Sequence, residues 1–308
     1  MRRALILIVA VLLPAVAVGE HRPRPKIVGI VGVRLLVTDI KNAEDFYYGL
    51  FRAIAPHTGA ESACNWCERV PGGSGPGPIE FDVIHGKAPA DLVEMVTFRT
   101  NDAKGLRDFL KQNKVKVGSL TVWGGGASFS VVDPEQHRLT FVEGERSGTT
   151  SLMGIPGAYP PAGVGWPHII HAGWVVKDRK AMDQFYKDIL GFHLYWQGGM
   201  KDGEISWVSM QVPDGTDWIE YMLNIPSDAS KQLLGVMNHI AIGAPSVTKV
   251  AEELEANGTH LTEQPRIGRD GKWQLNLYDP DLTRVEFMEF MPVEKPCCSE
   301  FTGTHPRP

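Results

Sequence analysis

Four residues in the second half of the chain have the types and the spacing to hold a metal ion. His171 and His239 each sit in a short apolar run, "HIIHAGWVV" and "MNHIAIGA". Glu220 follows His171 by 49 residues, and Glu286 follows His239 by 47. A lone histidine on an apolar strand is ordinarily a hydrogen-bonded core residue, and a lone glutamate in a strand ordinarily faces water. Two histidine–glutamate pairs at matching spacing, each flanked by apolar residues, instead set two carboxylates in or near a core. Burying a carboxylate without a partner is costly. A divalent cation removes that cost, and neutral imidazole with carboxylate suits Zn, Ni, Co, Mn or Fe(II). The expectation is one divalent metal ion held by His171, Glu220, His239 and Glu286, with Glu289 a rival for the last place.

The elements around these residues repeat. After "HIIHAGWVV", Asp178 is placed to cap a helix by accepting from exposed first-turn N–H groups. Met182, Phe185, Tyr186, Ile189 and Leu190 recur at helical spacing, and Gly191 suits the left-handed C-terminal position. Alternating apolar runs follow over Phe192 to Trp196, Ile205 to Val212 and Trp218 to Leu223. "MNHIAIGA" then opens a second unit, with a helix from Val247 to Asn257, a hairpin signal "GRDG", and strands "WQLNLY" and "RVEFMEF" around the turn "DPDL". Each unit reads β-α-β-β-β. His171 and His239 fall on the first strands, Glu220 and Glu286 on the last. Two such units set face to face bring the four side chains together.

The motifs "H-x-G…V-x-D…FY…LGF", opening one unit, and "DPD…R-V-E", closing the other, resemble the vicinal oxygen chelate superfamily, which includes glyoxalase I, bleomycin-binding proteins and extradiol dioxygenases. The resemblance covers Trp166 to Met291. It implies an α+β fold in which two modules form one open, U-shaped sheet around a metal bound by His171, Glu220, His239 and Glu286, the "DPDLTRVE" match selecting Glu286 over Glu289. The first half is a weaker copy. "VRLLVTDIKNAEDFYYGLF" matches "AGWVVKDRKAMDQFYKDIL" with Asp39 on Asp178, and "VVDPEQHRLTFVEGE" matches "LYDPDLTRVEFMEF" with Asp133 on Asp279. Under that register Gly32, Glu80, Met95 and Thr140 stand where the four ligands do, so the expectation is four βαβββ modules in two tandem domains, the first without metal.

Two chemistries follow from the resemblance. A two-histidine, two-glutamate set is similar to that of glyoxalase I and its lyase, isomerase and epimerase relatives. There the metal binds adjacent oxygens of a small α-hydroxy-carbonyl substrate, an enediolate is stabilised, and a carboxylate, Glu220 or Glu286, moves a proton. The four-module layout is instead similar to type I extradiol dioxygenases, with Fe(II) on His171, His239 and Glu286, and Tyr278 near the substrate. Asp217 and Arg269 stand where that family's additional histidines are expected, which weighs against it. Arg266, Arg269 and Lys272, near the last hairpin, are candidates for binding an anionic substrate, with a solvated hairpin as the plain alternative. A third class, a small-ligand binder, draws on Trp174, Trp196, Trp207, Trp218 and Trp273, but such binders usually lack the metal ligands.

Composition bounds the rest. The 308 residues are 43% hydrophobic and 22% charged, with a net charge of −5. That gives no basic surface for nucleic acid and no cationic run for an anionic membrane. The start, "MRRALILIVAVLLPAVAVGE", has two arginines, an apolar run and small residues, the pattern of a secretory signal over residues 1–19. The run is short for a membrane span and Pro14 interrupts it, so cleavage and export, without stable membrane insertion, are preferred to an anchor. The expected domains are then 26–145 and 167–292, joined by a Gly/Pro/Ser-rich linker at 146–166, with an irregular tail at 293–308. In an exported protein, Cys64, Cys67, Cys297 and Cys298 favour disulfides over free thiols, redox activity or zinc binding, and four cysteines leave three pairings open. N-terminal sequencing of exported protein should begin after Ala17 or Gly19; intact Met1 on soluble cytoplasmic protein would refute export.

Overall fold

The computed structural model describes residues 23–54, 79–144 and 168–307. The expected export signal, the "CNWC" and "VPGGSGPGP" segments and the 146–166 linker lie outside them. Among the described residues no helix is long and apolar enough to cross a membrane.

Two curled mixed sheets carry the fold. The first takes β1 (Ile27–Val37), β2 (Ile79–Val83), β3 (Val93–Thr100), β4 (Thr121–Trp123), β5 (Gly126–Val132) and β6 (Arg138–Gly144), in the order β2-β1-β3-β6-β5-β4. Helices α1 (Ile40–Ile54) and α2 (Ala103–Gln112) follow its first and third strands. The second takes β7 (His168–Val175), β8 (His193–Gly198), β9 (Trp207–Gln211), β10 (Trp218–Met222), β11 (His239–Ala244), β12 (Arg266–Ile267), β13 (Trp273–Tyr278) and β14 (Arg284–Glu289), in the order β12-β13-β14-β11-β7-β10-β9-β8. Its helices are α3 (Arg179–Asp183), α4 (Lys231–Met237) and α5 (Val247–Ala256).

The expected βαβββ order is complete in three modules; of the first, β1, α1 and β2 are described. Two details depart from the sequence reading. Helix α4 joins the two units of the second sheet without having been expected, because at seven residues, with Gly235 inside and none of its residues buried, it is too short to show a readable period. The helix capped by Asp178, whose side chain accepts from the Ala181 N–H, passes into π geometry over Gln184–Ile189. The Leu190 N–H reaches back five residues to Phe185 O. Met182, Phe185, Tyr186 and Leu190 are nevertheless buried as their spacing predicts.

The outer faces of both sheets pack against the helices as one continuous apolar core. Phe98, Phe141, Trp174, Tyr186, Phe192 and Phe287 are members of it, drawn from both halves. Each such side chain contributes about 1.5–3 kcal/mol when removed from water. Reciprocal polar contacts join the halves across this core. The Tyr47 hydroxyl of α1 donates to Asp279 Oδ2 in the second half (3.1 Å), and the Tyr186 hydroxyl donates to Asp133 Oδ2 in the first (3.2 Å). The Thr38 N–H donates to Asp281 (2.9 Å), and the Lys177 and Asp178 N–H groups donate to Glu135 (2.7 and 2.6 Å). Each aspartate is fixed by its own turn: Asp133 accepts from the N–H groups of Glu135 and His137, Asp279 from those of Asp281 and Thr283. The repeated "DP" turns thus serve as matched sockets for the partner half.

His137 adds charge to one socket. Its Nδ1 lies 2.7 Å from Asp133 Oδ2 and its ring stacks on Trp174. Burial disfavours the charged ring, but Asp133 outweighs it and holds the imidazole above its ordinary value of 6.5. A raised folded-state pKa stabilises fully below the unfolded value and is lost as pH rises through the folded one. His137→Asn should therefore cost about 1–3 kcal/mol at pH 5.5, with the difference from wild type shrinking toward pH 9 in urea unfolding. A gap that widens with pH would overturn this pairing.

Candidate metal centre

The four expected ligands occupy two neighbouring rungs of the second sheet. On one rung Glu220 of β10 pairs with Gly173 of β7, which pairs with His239 of β11. On the next, His171 of β7 pairs with Ala241 of β11, which pairs with Glu286 of β14. A small residue thus lies between histidine and glutamate on each rung. Its smallness is required at Gly173, where a Cβ would fall 2.1 Å from His239 Cε1.

The donor atoms converge. His171 Nε2 and His239 Nε2 are 3.0 Å apart. Glu220 Oε2 is 3.4 Å from His239 Nε2, and Glu286 Oε2 is 3.9 Å from each imidazole Nε2. Both histidines and Glu286 are buried. His239 Nδ1 donates to Met237 O (2.8 Å), so the neutral ring turns its Nε2 lone pair to the centre, the usual outer support of a metal-ligating histidine. His171 stacks on Trp218 with ring centroids 4.6 Å apart. Burial, the main cause, drives both imidazoles well below their ordinary range, so they are neutral. Burial also pushes Glu286 up to about 7, against the pull of Arg284, whose Nη1 is 3.4 Å from Oε2. Glu286 Oε1 is buried without a hydrogen-bond partner. His171 Nδ1 is likewise buried without a partner; two converging imidazole Nε2 atoms beside an unsatisfied carboxylate suit a divalent cation. His171, Glu220 and His239 alone already place donor atoms within 4.8 Å of one another.

The remaining candidates are dispersed. Tyr278 pairs with Arg284, so it shares the face of Glu286, and its hydroxyl donates to Glu263 Oε1 at 2.5 Å. Asn276 is the residue of that strand that pairs with Glu286. Arg266 is exposed and lies 3.8 Å from Glu263. Arg269 bonds Gly199 O and Asp202 beside the disulfide Cys297–Cys298. Asp217 accepts from the Ile30 N–H and lies 2.9 Å from His168 Nε2, a link between halves. Lys272 is fully buried, against the plain expectation of a solvated hairpin. Sequence reasoning gave no role to Ser209, which donates to Glu220 Oε1 (3.3 Å), or to Arg284. A signal existed for Arg284 and for Trp218, taken only as one of several tryptophans: each lies two residues before a ligand glutamate and so shares its face.

The first sheet repeats both rungs with different chemistry. Glu80 pairs with Arg34, which pairs with Met95; Thr140 pairs with Thr97, which pairs with Gly32. The expected correspondence of Gly32, Glu80, Met95 and Thr140 with the four ligands therefore holds in the ladder. Arg34 stands where Gly173 does, and its Nη2 and Nε lie 2.8 and 3.1 Å from Glu80 Oε2. A guanidinium fixed in the chain supplies the positive charge on this side.

The family description "Glyoxalase/Bleomycin resistance protein/Dioxygenase superfamily" matches residues 168–287. No curated protein sequence matches the chain. Among solved structures, an extradiol ring-cleaving dioxygenase from B. fuscum is similar with a TM-score of 0.57 and 16% identity, covering 86% of this chain and 72% of that one. The substrate complex of homoprotocatechuate 2,3-dioxygenase from Brevibacterium fuscum gives 0.55 and 15%, covering 92% and 88%. The 2,3-dioxygenase LapB from Pseudomonas sp. KL28 gives 0.56 and 13%, covering 93% and 96%. At these identities the likeness is one of fold.

If the site is as drawn, His171→Ala should leave the far-ultraviolet circular dichroism intact and weaken metal affinity by more than about 100-fold, beyond the roughly 10–100-fold cost of losing an outer partner. Metal analysis should count one ion per wild-type chain. Wild-type metal content in both His171→Ala and His239→Ala would refute the ligand set.

Proposed function

We propose, for a chain that belongs through residues 168–287 to the Glyoxalase/Bleomycin resistance protein/Dioxygenase superfamily, an exported metal-dependent enzyme that moves a proton on a small substrate with two adjacent oxygens, as a lyase, isomerase or epimerase does. His171, Glu220, His239 and Glu286 would hold one divalent ion. Once bound, the ion would polarise the substrate oxygens and acidify the neighbouring C–H.

The observation that carries this reading is Glu220. Its carboxylate joins the two imidazoles in one cluster, which makes a four-donor set of two histidines and two glutamates. Glu220 is also the least buried of the four, with Oε1 held by a neutral Ser209 hydroxyl. A carboxylate on the open side of the cluster, held by a weak neutral donor, is suited to take up and return a proton. Glu286, deeper and beside Arg284, has the ligand's role. Gly173 and Ala241 keep side chains out of the space between the donors, and Trp218 fixes the His171 ring.

A second reading, ring cleavage of a catechol with Fe(II), draws on the whole-chain likeness to extradiol dioxygenases. In it His171, His239 and Glu286 are the ligands and Glu220 is dispensable. Glu220→Gln separates the two. Under the proton-transfer reading, the variant loses exchange of the α-hydrogen of hydroxyacetone with deuterium oxide by about 100-fold or more, and catechol gives no oxygen uptake. Oxygen uptake with catechol that survives Glu220→Gln in the iron-loaded protein would replace the first reading by the second.

A further inference from the structure

Lys272 is a fully buried cation without an anionic partner at ion-pair distance among the described residues. Its Nζ donates to the Tyr195 hydroxyl (2.9 Å) and lies 5.1, 5.0 and 5.3 Å from the ring centroids of Tyr195, Trp218 and Phe301. Trp218 is the ring on which His171 stacks, so the cage adjoins the metal centre. The C-terminal tail completes it. Phe301 packs on Tyr195 at 4.8 Å, and the Thr302 N–H bonds Tyr195 O (2.9 Å). Tyr195 Oη also lies 2.6 Å from His305 Nδ1. Because that oxygen accepts from Lys272, its own proton turns to His305.

Aromatic faces and one neutral hydroxyl lower the cost of burying an ammonium group but do not cancel its charge. Nζ has three donors and one acceptor. Asp270, the carboxylate that acts on it most strongly, uses Oδ1 for the Lys272 N–H and Gln274 Nε2. Glu220 and Glu286 act on it only at longer range, and a divalent ion between them would neutralise that field. Burial brings the ammonium down to about 8, which leaves it largely charged at neutral pH.

We propose that Lys272 recognises a negatively charged group on the substrate, so that the substrate class is a small organic anion, such as a 2-hydroxy or 2-oxo carboxylate, with its adjacent oxygens at the metal centre. This rests on the metal reading above. A neutral substrate would leave the ammonium buried and unpaired. An anion completes both remaining donors.

The test uses full-length cobalt(II)-loaded protein, with cobalt counted by metal analysis, titrated with glycolate and its neutral counterpart glycolamide by calorimetry. Wild type should prefer glycolate. Lys272→Met, similar in shape but uncharged, should keep one cobalt per chain and weaken glycolate by about tenfold or more, leaving glycolamide unchanged. If Lys272→Met does not fold, Tyr195→Phe, which removes only the oxygen that anchors Nζ, should weaken glycolate by about threefold or more. Cobalt at one per chain with unchanged glycolate affinity in the folded variant overturns the role of Lys272 alone. Wild-type protein that takes up no cobalt overturns the metal reading, and this one with it.

Discussion

Two buried imidazole Nε2 atoms 3.0 Å apart, with His171 Nδ1 and one oxygen of the buried Glu286 carboxylate both left without a partner, make an arrangement whose polar needs the protein interior does not meet by itself. An N–H···N bond between the neutral rings still leaves His171 Nδ1 and Glu286 Oε1 unsatisfied, and a buried carboxylate needs either a proton or a positive charge. The second sheet is shaped around this constraint. Its central strands carry one donor each, Gly173 and Ala241 hold the middle of the two rungs open, and Met237 O fixes the tautomer of His239.

The first sheet meets the same constraint with a different solution. The rungs are the same, but Arg34 replaces glycine and brings its own charge to Glu80, while Met95 and Thr140 occupy the other ligand positions and bond each other. The two halves therefore differ in whether the chain itself sets a cation in the middle of the rung. The first sheet still contributes to the second. Asp133 and Asp279 act as sockets for Tyr186 and Tyr47, and Trp174, on the same strand as His171, donates its indole N–H to Val93 O of the first half. The strands that carry the candidate ligands are thus held partly from outside their own sheet.

The concave face of the second sheet is finished by residues remote in sequence. Trp196 donates to Cys297 O and Gln211 to Thr304 O, so the irregular tail runs along the open side of the curl. There it supplies Phe301 and His305 to the surroundings of Lys272. A charged centre walled by tryptophan, tyrosine and phenylalanine has a low effective dielectric, in which each remaining charge acts at longer range than in water.

The sequence by itself determined the repeat, the β-α-β-β-β order within each unit of the second half and the gathering of His171, Glu220, His239 and Glu286. These follow from local periodicity and from nearly equal spacing, because two copies of one unit place equivalent residues on equivalent strands. It also carried the correspondence of Gly32, Glu80, Met95 and Thr140, which the ladders of the first sheet repeat. Only the tertiary structure decided which polar residues of the last module face the centre. Arg266 and Arg269 have the right chemistry but turn to Glu263 and Asp202, Tyr278 shares the face of Glu286 with its hydroxyl bonded to Glu263, and Lys272 is drawn inward by rings from β8, β10 and the tail. No local pattern marks that difference, because burial of a lysine depends on which distant aromatic faces close over it. The same holds for Arg34: its sequence neighbours are those of an ordinary strand, and only pairing with Glu80 across the sheet gives it the place that a metal ion would take in the other half.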